Sequence, residues 1–147
     1  MNRVCKQHGR VQCHKGRLGA AAVEFAMTAP ILILFLFATL EFSRYNMVGQ
    51  TATNAAFEGA RKCIVPGATA SGAQTTALNY LAAAHVSGGS ATVNPATITD
   101  STSTVGVTVT VPLSQNLWTS PVFCGSGTLT KSCTLTRDWV NSTRAGQ

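Results

Sequence analysis

AAAVEFAMTAPILILFLFATL, residues Ala20 to Leu40, is 21 residues long, and the 16 residues between Glu24 and Glu41 carry no charge. As an α-helix it would be about 31 Å long, against a bilayer core about 30 Å thick. Only Glu24, Thr28, Pro30 and Thr39 interrupt the apolar run. A soluble buried helix of this length shows a polar stripe, and Ile31 to Phe37 has none. The segment therefore reads as a membrane span.

The charges flank it unevenly. The chain has 147 residues, with 11 Lys and Arg against 5 Asp and Glu, a net +6. Arg3, Lys6, Arg10, Lys15 and Arg17 supply +5 before the span, no acid accompanies them, and only Arg44 follows closely. By the positive-inside rule the N-terminus is cytoplasmic and everything from about Glu41 onward lies outside the cytoplasm. The basicity belongs to a leader, not a binding face, so a nucleic-acid partner is not expected. With 45% hydrophobic and 11% charged residues, the composition excludes intrinsic disorder. A secretory signal peptide is the competing reading, but such peptides have shorter apolar regions ending in a small-x-small site. Here Glu41, Phe42, Ser43, Arg44 and Tyr45 follow instead.

Glu24 is anomalous inside an apolar segment, where a carboxylate costs about 2.5–3.5 kcal/mol even on lenient insertion scales. Either it sits at the membrane interface, or it has a partner that the intact chain does not supply. Cleavage after Gly19 would create one, because Ala20 would carry a new α-amino group and Glu24 would become residue five.

Gly19, four small or apolar residues, then Glu24 and Phe25 resemble the processing site of type IV prepilins. The longer stretch from Arg17 to Cys63 resembles the TadE-like family of the tight-adherence (Flp) pilus system. GAAAVEFA at Gly19–Ala26, the Pro30-containing apolar run, EFSR at Glu41–Arg44 and TNAAFEGAR at Thr53–Arg61 carry the likeness. Within these lie Glu41, Phe42, Arg44, Asn54, Ala55, Ala56, Glu58, Gly59, Ala60 and Arg61. Phe57 departs from the family, which more often has a basic residue there. The resemblance implies a membrane precursor trimmed by a prepilin peptidase between Gly19 and Ala20. It also implies that Glu24, with Phe25 beside it, docks onto the α-amino group of a neighbouring pilin subunit.

No helix-stopping signal occurs between Leu40 and Cys63, so the span should continue outward as one helix. Tyr45, Val48, Ala52, Ala55, Gly59 and Cys63 recur at spacings of three and four and form one face for close packing, on the protein's own domain or on a neighbouring helix. Glu58 is spaced to pair with Arg61 and Lys62. Pro66-Gly67 should end the helix. Ser71 with Gln74 reads as a capping box opening a second helix through Ala73, Ala77, Leu78, Leu81 and Ala82 to about His85, closed by Gly88-Gly89. The period then becomes two. Val105, Val107, Val109 and Val111 alternate with Gly106, Thr108 and Thr110 as a half-buried strand ending at Pro112. Ala91–Ile98 is a weaker edge strand broken by Pro95, and Thr128–Arg137 a third strand. The fold class is α+β: one long N-terminal transmembrane helix running into a small pilin-like module with a short helix and a few antiparallel strands. The expected division is a cleaved leader over 1–19, the span over 20–40, its extracytoplasmic continuation over 41–65, and the small domain over 66–147.

Cys124 and Cys133 flank Gly-Ser-Gly-Thr-Leu-Thr-Lys-Ser in the extracytoplasmic part, where a disulfide would close a hairpin-like loop. Cys63 is left over, either buried or competing for one of the pair. Cys5, His8, Cys13 and His14 match no common zinc spacing, so no metal is expected. No cofactor motif is present, and no nucleophile, base and orienting group are spaced for catalysis. His85 reads as a helix-end residue meeting the helix dipole. Trp118 and Trp139 are either anchors of a binding surface or packing residues.

The reading is thus a non-enzymatic pseudopilin or minor pilin of the bacterial inner membrane. Its N-terminus is cytoplasmic, and its partners are the prepilin peptidase, other pilin subunits and the pilus assembly machinery. The alternative is an uncleaved single-span anchor displaying an extracytoplasmic binding module.

Overall fold

A computed structural model describes residues 15–118 and 127–137 of the chain. The chain divides into two units, Met1–Thr39 and Leu40–Gln147.

Helix α1 runs from Lys15 to Cys63, 49 residues with Pro30 inside. It is the one helix among the described residues long and apolar enough to cross a membrane, with a mean hydropathy of 2.1 over its most apolar window. None of that window is buried. Val23, Phe25, Ile31, Leu34 and Phe37 are all exposed. In the same unit the polar side chains turn inward onto the helix itself. Thr28 Oγ1 donates to the Glu24 carbonyl at 3.0 Å and Thr39 Oγ1 to the Leu36 carbonyl at 2.8 Å. Such back-bonding lets hydroxyls stand in an apolar environment without an unmet donor.

In the second unit the same helix becomes amphipathic. Val48, Ala52, Ala55, Gly59 and Cys63 are buried, as their spacing predicts, and Thr51, Ala56 and Ala60 widen the stripe. Tyr45 is only half-buried. After Cys63 the chain turns, with Gly67 at φ +77.

Helix α2, Ala70–Ala83, does not start at a Ser71–Gln74 box. Its N-cap is Thr69, which has extended backbone angles and accepts from the Gly72 amide at 3.2 Å. Ser71 lies inside the first turn, already helical, and cannot hold the non-helical cap geometry. Nor does Gly88-Gly89 close the helix. The His85 amide donates to Ala82 O and the Val86 amide to Leu81 O, each at 3.0 Å. This is a Schellman closure with His85, at φ 56, in the left-handed position. Ala73, Ala77 and Leu81 face the core, whereas Leu78 and Ala82 do not.

Strands β1 (Ser90–Asn94), β2 (Thr104–Pro112) and β3 (Thr128–Thr136) form an antiparallel sheet in that order. Val105, Val107, Val109 and Val111 of β2 are fully buried. Burying each valine contributes about 1.5–3 kcal/mol. Their neighbours in register on the same face are Ala91 and Val93 of β1 and Leu129, Lys131, Cys133 and Leu135 of β3, of which Lys131 is exposed. Both helices cover this face. The opposite face carries Thr92, Thr108, Thr110, Thr130, Ser132 and Thr134, uncharged and hydroxyl-bearing. The architecture is α+β, a helical layer on one three-stranded sheet.

Gly59 lies where α1 meets both α2 and β2. A Cβ there would lie 3.2 Å from both Ala77 Cβ and Val107 Cγ1 and 3.3 Å from the Ala73 carbonyl oxygen. One missing methyl thus lets α1 touch α2 and β2 at the same point.

Candidate assembly site

The residues singled out in the sequence fall into two groups, one in each unit. In the first, Gly19 is helical and exposed, and a Cβ built on it meets nothing within 4 Å. No conformational demand of the fold therefore requires glycine there. Ala20 and Glu24 are exposed, as is Phe25. Among the described residues no cation lies within ion-pair distance of the Glu24 carboxylate. A charge on an apolar helix without a counter-charge is under pressure to find one outside the chain.

In the second unit, Glu41 is 5% exposed although charged, while Phe42 next to it is 69% exposed. Arg44 reaches away from its helix: its Nε donates to the Asn116 carbonyl at 3.2 Å, and Nη1 lies 3.6 Å from Met47 Sδ. Ala55, Ala56, Gly59 and Ala60 form the buried stripe, and Asn54 is exposed. Glu58 pairs with Arg61 at 3.6 Å across one helical turn. Both side chains are solvated, so the pair contributes only a few tenths of a kcal/mol.

Sequence reasoning missed two residues that organise this unit. Asn116, 4% exposed, accepts from the Ser87 amide at 2.8 Å. Its Nδ2 donates to the carbonyls of Ser87 and Pro112 at 2.9 and 2.8 Å. It thereby fastens the turn after β2, Leu113–Gln115, to the turn after α2. Arg137, 2% exposed, donates to the Thr99 carbonyl at 2.7 Å, and its amide donates to Ser103 O at 2.7 Å. Its charge also acts on Cys63. Burial pushes the Cys63 thiol up from its ordinary value, and the positive charge of Arg137 opposes this in part. A lone Asn or Arg in a polar loop carries no sequence signal of such contacts, which apart from Asn116 to Pro112 join residues 29 to 38 positions apart.

Among the described residues no group of three or more His, Cys, Asp or Glu is gathered to hold a metal. The proposed Cys124–Cys133 pair, Cys5, His8, Cys13, His14 and Trp139 lie wholly or partly outside the described residues; Cys133 itself is half-buried on β3.

A comparison with family models matches residues 19–61 to the TadE-like protein family. No curated protein and no solved structure matches the chain. The matched stretch covers the apolar part of α1 and its buried alanine stripe and stops before α2, so the sheet domain is outside it. Over residues 19–61 the chain is similar to the TadE-like protein family.

Proposed function

We propose that the protein is a pseudopilin or minor pilin of a tight-adherence pilus, anchored in the bacterial inner membrane by α1 and trimmed after Gly19 by a prepilin peptidase. The TadE-like match, together with one helix long and apolar enough to span a bilayer, supports a membrane protein related to the tight-adherence pilus and structural in role. The observation that carries the finer reading is the exposed pair Gly19 and Glu24, five positions apart on an otherwise apolar helix surface.

Three steps follow. The five basic residues before Ala20 hold the N-terminus in the cytoplasm. Hydrolysis of the Gly19–Ala20 peptide bond releases the leader and leaves an ammonium on Ala20. The Glu24 carboxylate of one subunit then pairs with the Ala20 ammonium of a neighbour. Either charge alone in hydrocarbon is penalised, whereas the pair is compensated, so only one axial register between subunits is favoured.

Intact mass and N-terminal sequencing of protein purified from its native membrane test the reading. A product beginning at Ala20 is expected. A chain still beginning at Met1 would favour an uncleaved anchor displaying a binding module. Gly19→Leu should abolish processing and piliation together. Glu24→Val should be cut normally yet assemble poorly, and wild-type assembly by that variant would remove the charge pairing from the mechanism.

A further inference from the structure

We propose that two copies of the chain pair through the outer edges of their β3 strands, antiparallel across a two-fold axis at Ser132, so that two three-stranded sheets become one. Every residue used lies in the second unit, so the pairing is independent of the span and of processing. β3 is an edge strand, with β2 on one side and, among the described residues, no strand on the other. It has nine residues without Pro or Gly, whereas β1, the opposite edge, has five and is followed by Pro95. Shortness and proline are usual protections of an edge. A long regular strand without them offers its free N–H and C=O groups to another chain.

The strand's own sequence says that the occupant is a second copy. Thr128-Leu129-Thr130-Lys131-Ser132-Cys133-Thr134-Leu135-Thr136 reads nearly alike in both directions about Ser132. In the two-fold pair Thr128 stands opposite the partner's Thr136, Leu129 opposite the partner's Leu135, and Thr130 opposite the partner's Thr134. Lys131 meets the partner's Cys133, and Ser132 meets the partner's Ser132. Apolar residues thus face apolar ones on the helix-covered side and hydroxyls face hydroxyls on the other, the matching that fixes register. Only with the axis at Ser132 do all nine residues pair. Charge selects the same axis. A charge on the covered side, such as Lys131, normally blunts an edge. An axis at Lys131 would set two lysines directly opposite, whereas an axis at Ser132 leaves them diagonal, about 7–8 Å apart. The edge also has room. The four valines of β2 are fully buried, but Cys133 and Leu135 only half. Beside Leu129 a groove lined by Tyr45, Gly49, Thr53 and Lys131 lies open between α1 and β3, and the partner's Leu135 would enter it. Such an isologous contact closes on itself, so the product is a pair.

Disulfide trapping of the full chain in detergent micelles tests this, with Cys5, Cys13, Cys124 and Cys133 changed to alanine and the buried Cys63 kept. Residues directly opposite in an antiparallel pair have Cα atoms about 4.5–5.5 Å apart, within disulfide reach. Thr130 and the partner's Thr130 would be about 14 Å apart. Both positions are exposed, so Ser132→Cys should cross-link under mild oxidation and Thr130→Cys should not. Sedimentation of the chain with its native cysteines gives a second measurement. Thr130→Lys with Thr134→Lys sets like charges opposite each other twice and should raise the dimer Kd about tenfold. Thr130→Lys with Thr134→Glu sets opposite charges there and should restore pairing, which a merely damaged fold would not do. Equal cross-linking at the two positions, none at either, or a dimer indifferent to the paired lysines would each overturn the proposal.

Discussion

Arg44 Nε donates to the backbone carbonyl of Asn116 at 3.2 Å, joining residues 72 positions apart. Asn116 in turn holds three backbone groups of Ser87 and Pro112. The Arg44 turn of α1, the turn after α2 and the turn after β2 are thereby tied at one buried side chain. Asn116→Ala should destabilise the domain by about 2–4 kcal/mol, because buried backbone donors and acceptors lose their partners. Arg44→Leu, removing one partly solvated bond, should cost about 1 kcal/mol. Urea unfolding of the detergent-solubilised full chain, followed by near-ultraviolet circular dichroism, measures both; equal effects would contradict this ranking.

Gly59 offers a test of the contact between layers. Gly59→Leu must displace α2 or β2 and should cost more than about 3 kcal/mol. Gly59→Ala sets a gain of about 1 kcal/mol in helix propensity against contacts of 3.2–3.3 Å, so its net effect should stay within about 1 kcal/mol of wild type. A mild Gly59→Leu phenotype in the same unfolding assay would mean that the helices are not pressed together at this residue.

His85 adopts a left-handed conformation at φ 56 while closing α2. Glycine takes that conformation without a Cβ clash, so His85→Gly should stabilise the domain by about 0.5–1 kcal/mol. His85→Val, β-branched, should destabilise it by about 1–2 kcal/mol. Melting temperatures moving in opposite directions for the two variants would verify the closure, and a loss for glycine would refute it.

Cys63 is buried with its thiol raised above 9.0, chiefly by desolvation and despite the nearby Arg137 charge. Two consequences can be measured. Alkylation of Cys63, followed by peptide mass mapping at pH 8, should be slow in the native protein and fast in urea. Above pH 9 the unfolded chain has released the thiol proton while the folded chain retains it, so folding stability falls as pH rises. Cys63→Ala should flatten that alkaline decline; an unchanged slope would assign it to other groups.

The features legible in the chain are those encoded within one or two turns or a single strand. The apolar run Ala20–Leu40 declares a candidate span by its unbroken length, and the alternating valines of β2 and the small-residue stripe from Val48 to Cys63 declare their burial through their own periods. Glu24 stands out for the same reason, as a charge in a local apolar context. The family likeness also rests on this helical third and stops at Arg61.

Other features needed the fold. Nothing near Asn116 or Arg137 announces that they bind backbone carbonyls of Ser87 and Thr99, because a polar side chain's partner depends on which loops the packed layers bring together. Thr69 and Ser71 are equivalent cap candidates by composition, and the turn after Cys63 selects Thr69 by giving it extended angles. His85 takes a position that local preference reserves for glycine because Val86 and Leu81, both buried, fix the chain on either side. Hydrophobic periodicity is a property of neighbours along the chain, whereas polar satisfaction is settled between segments far apart in it.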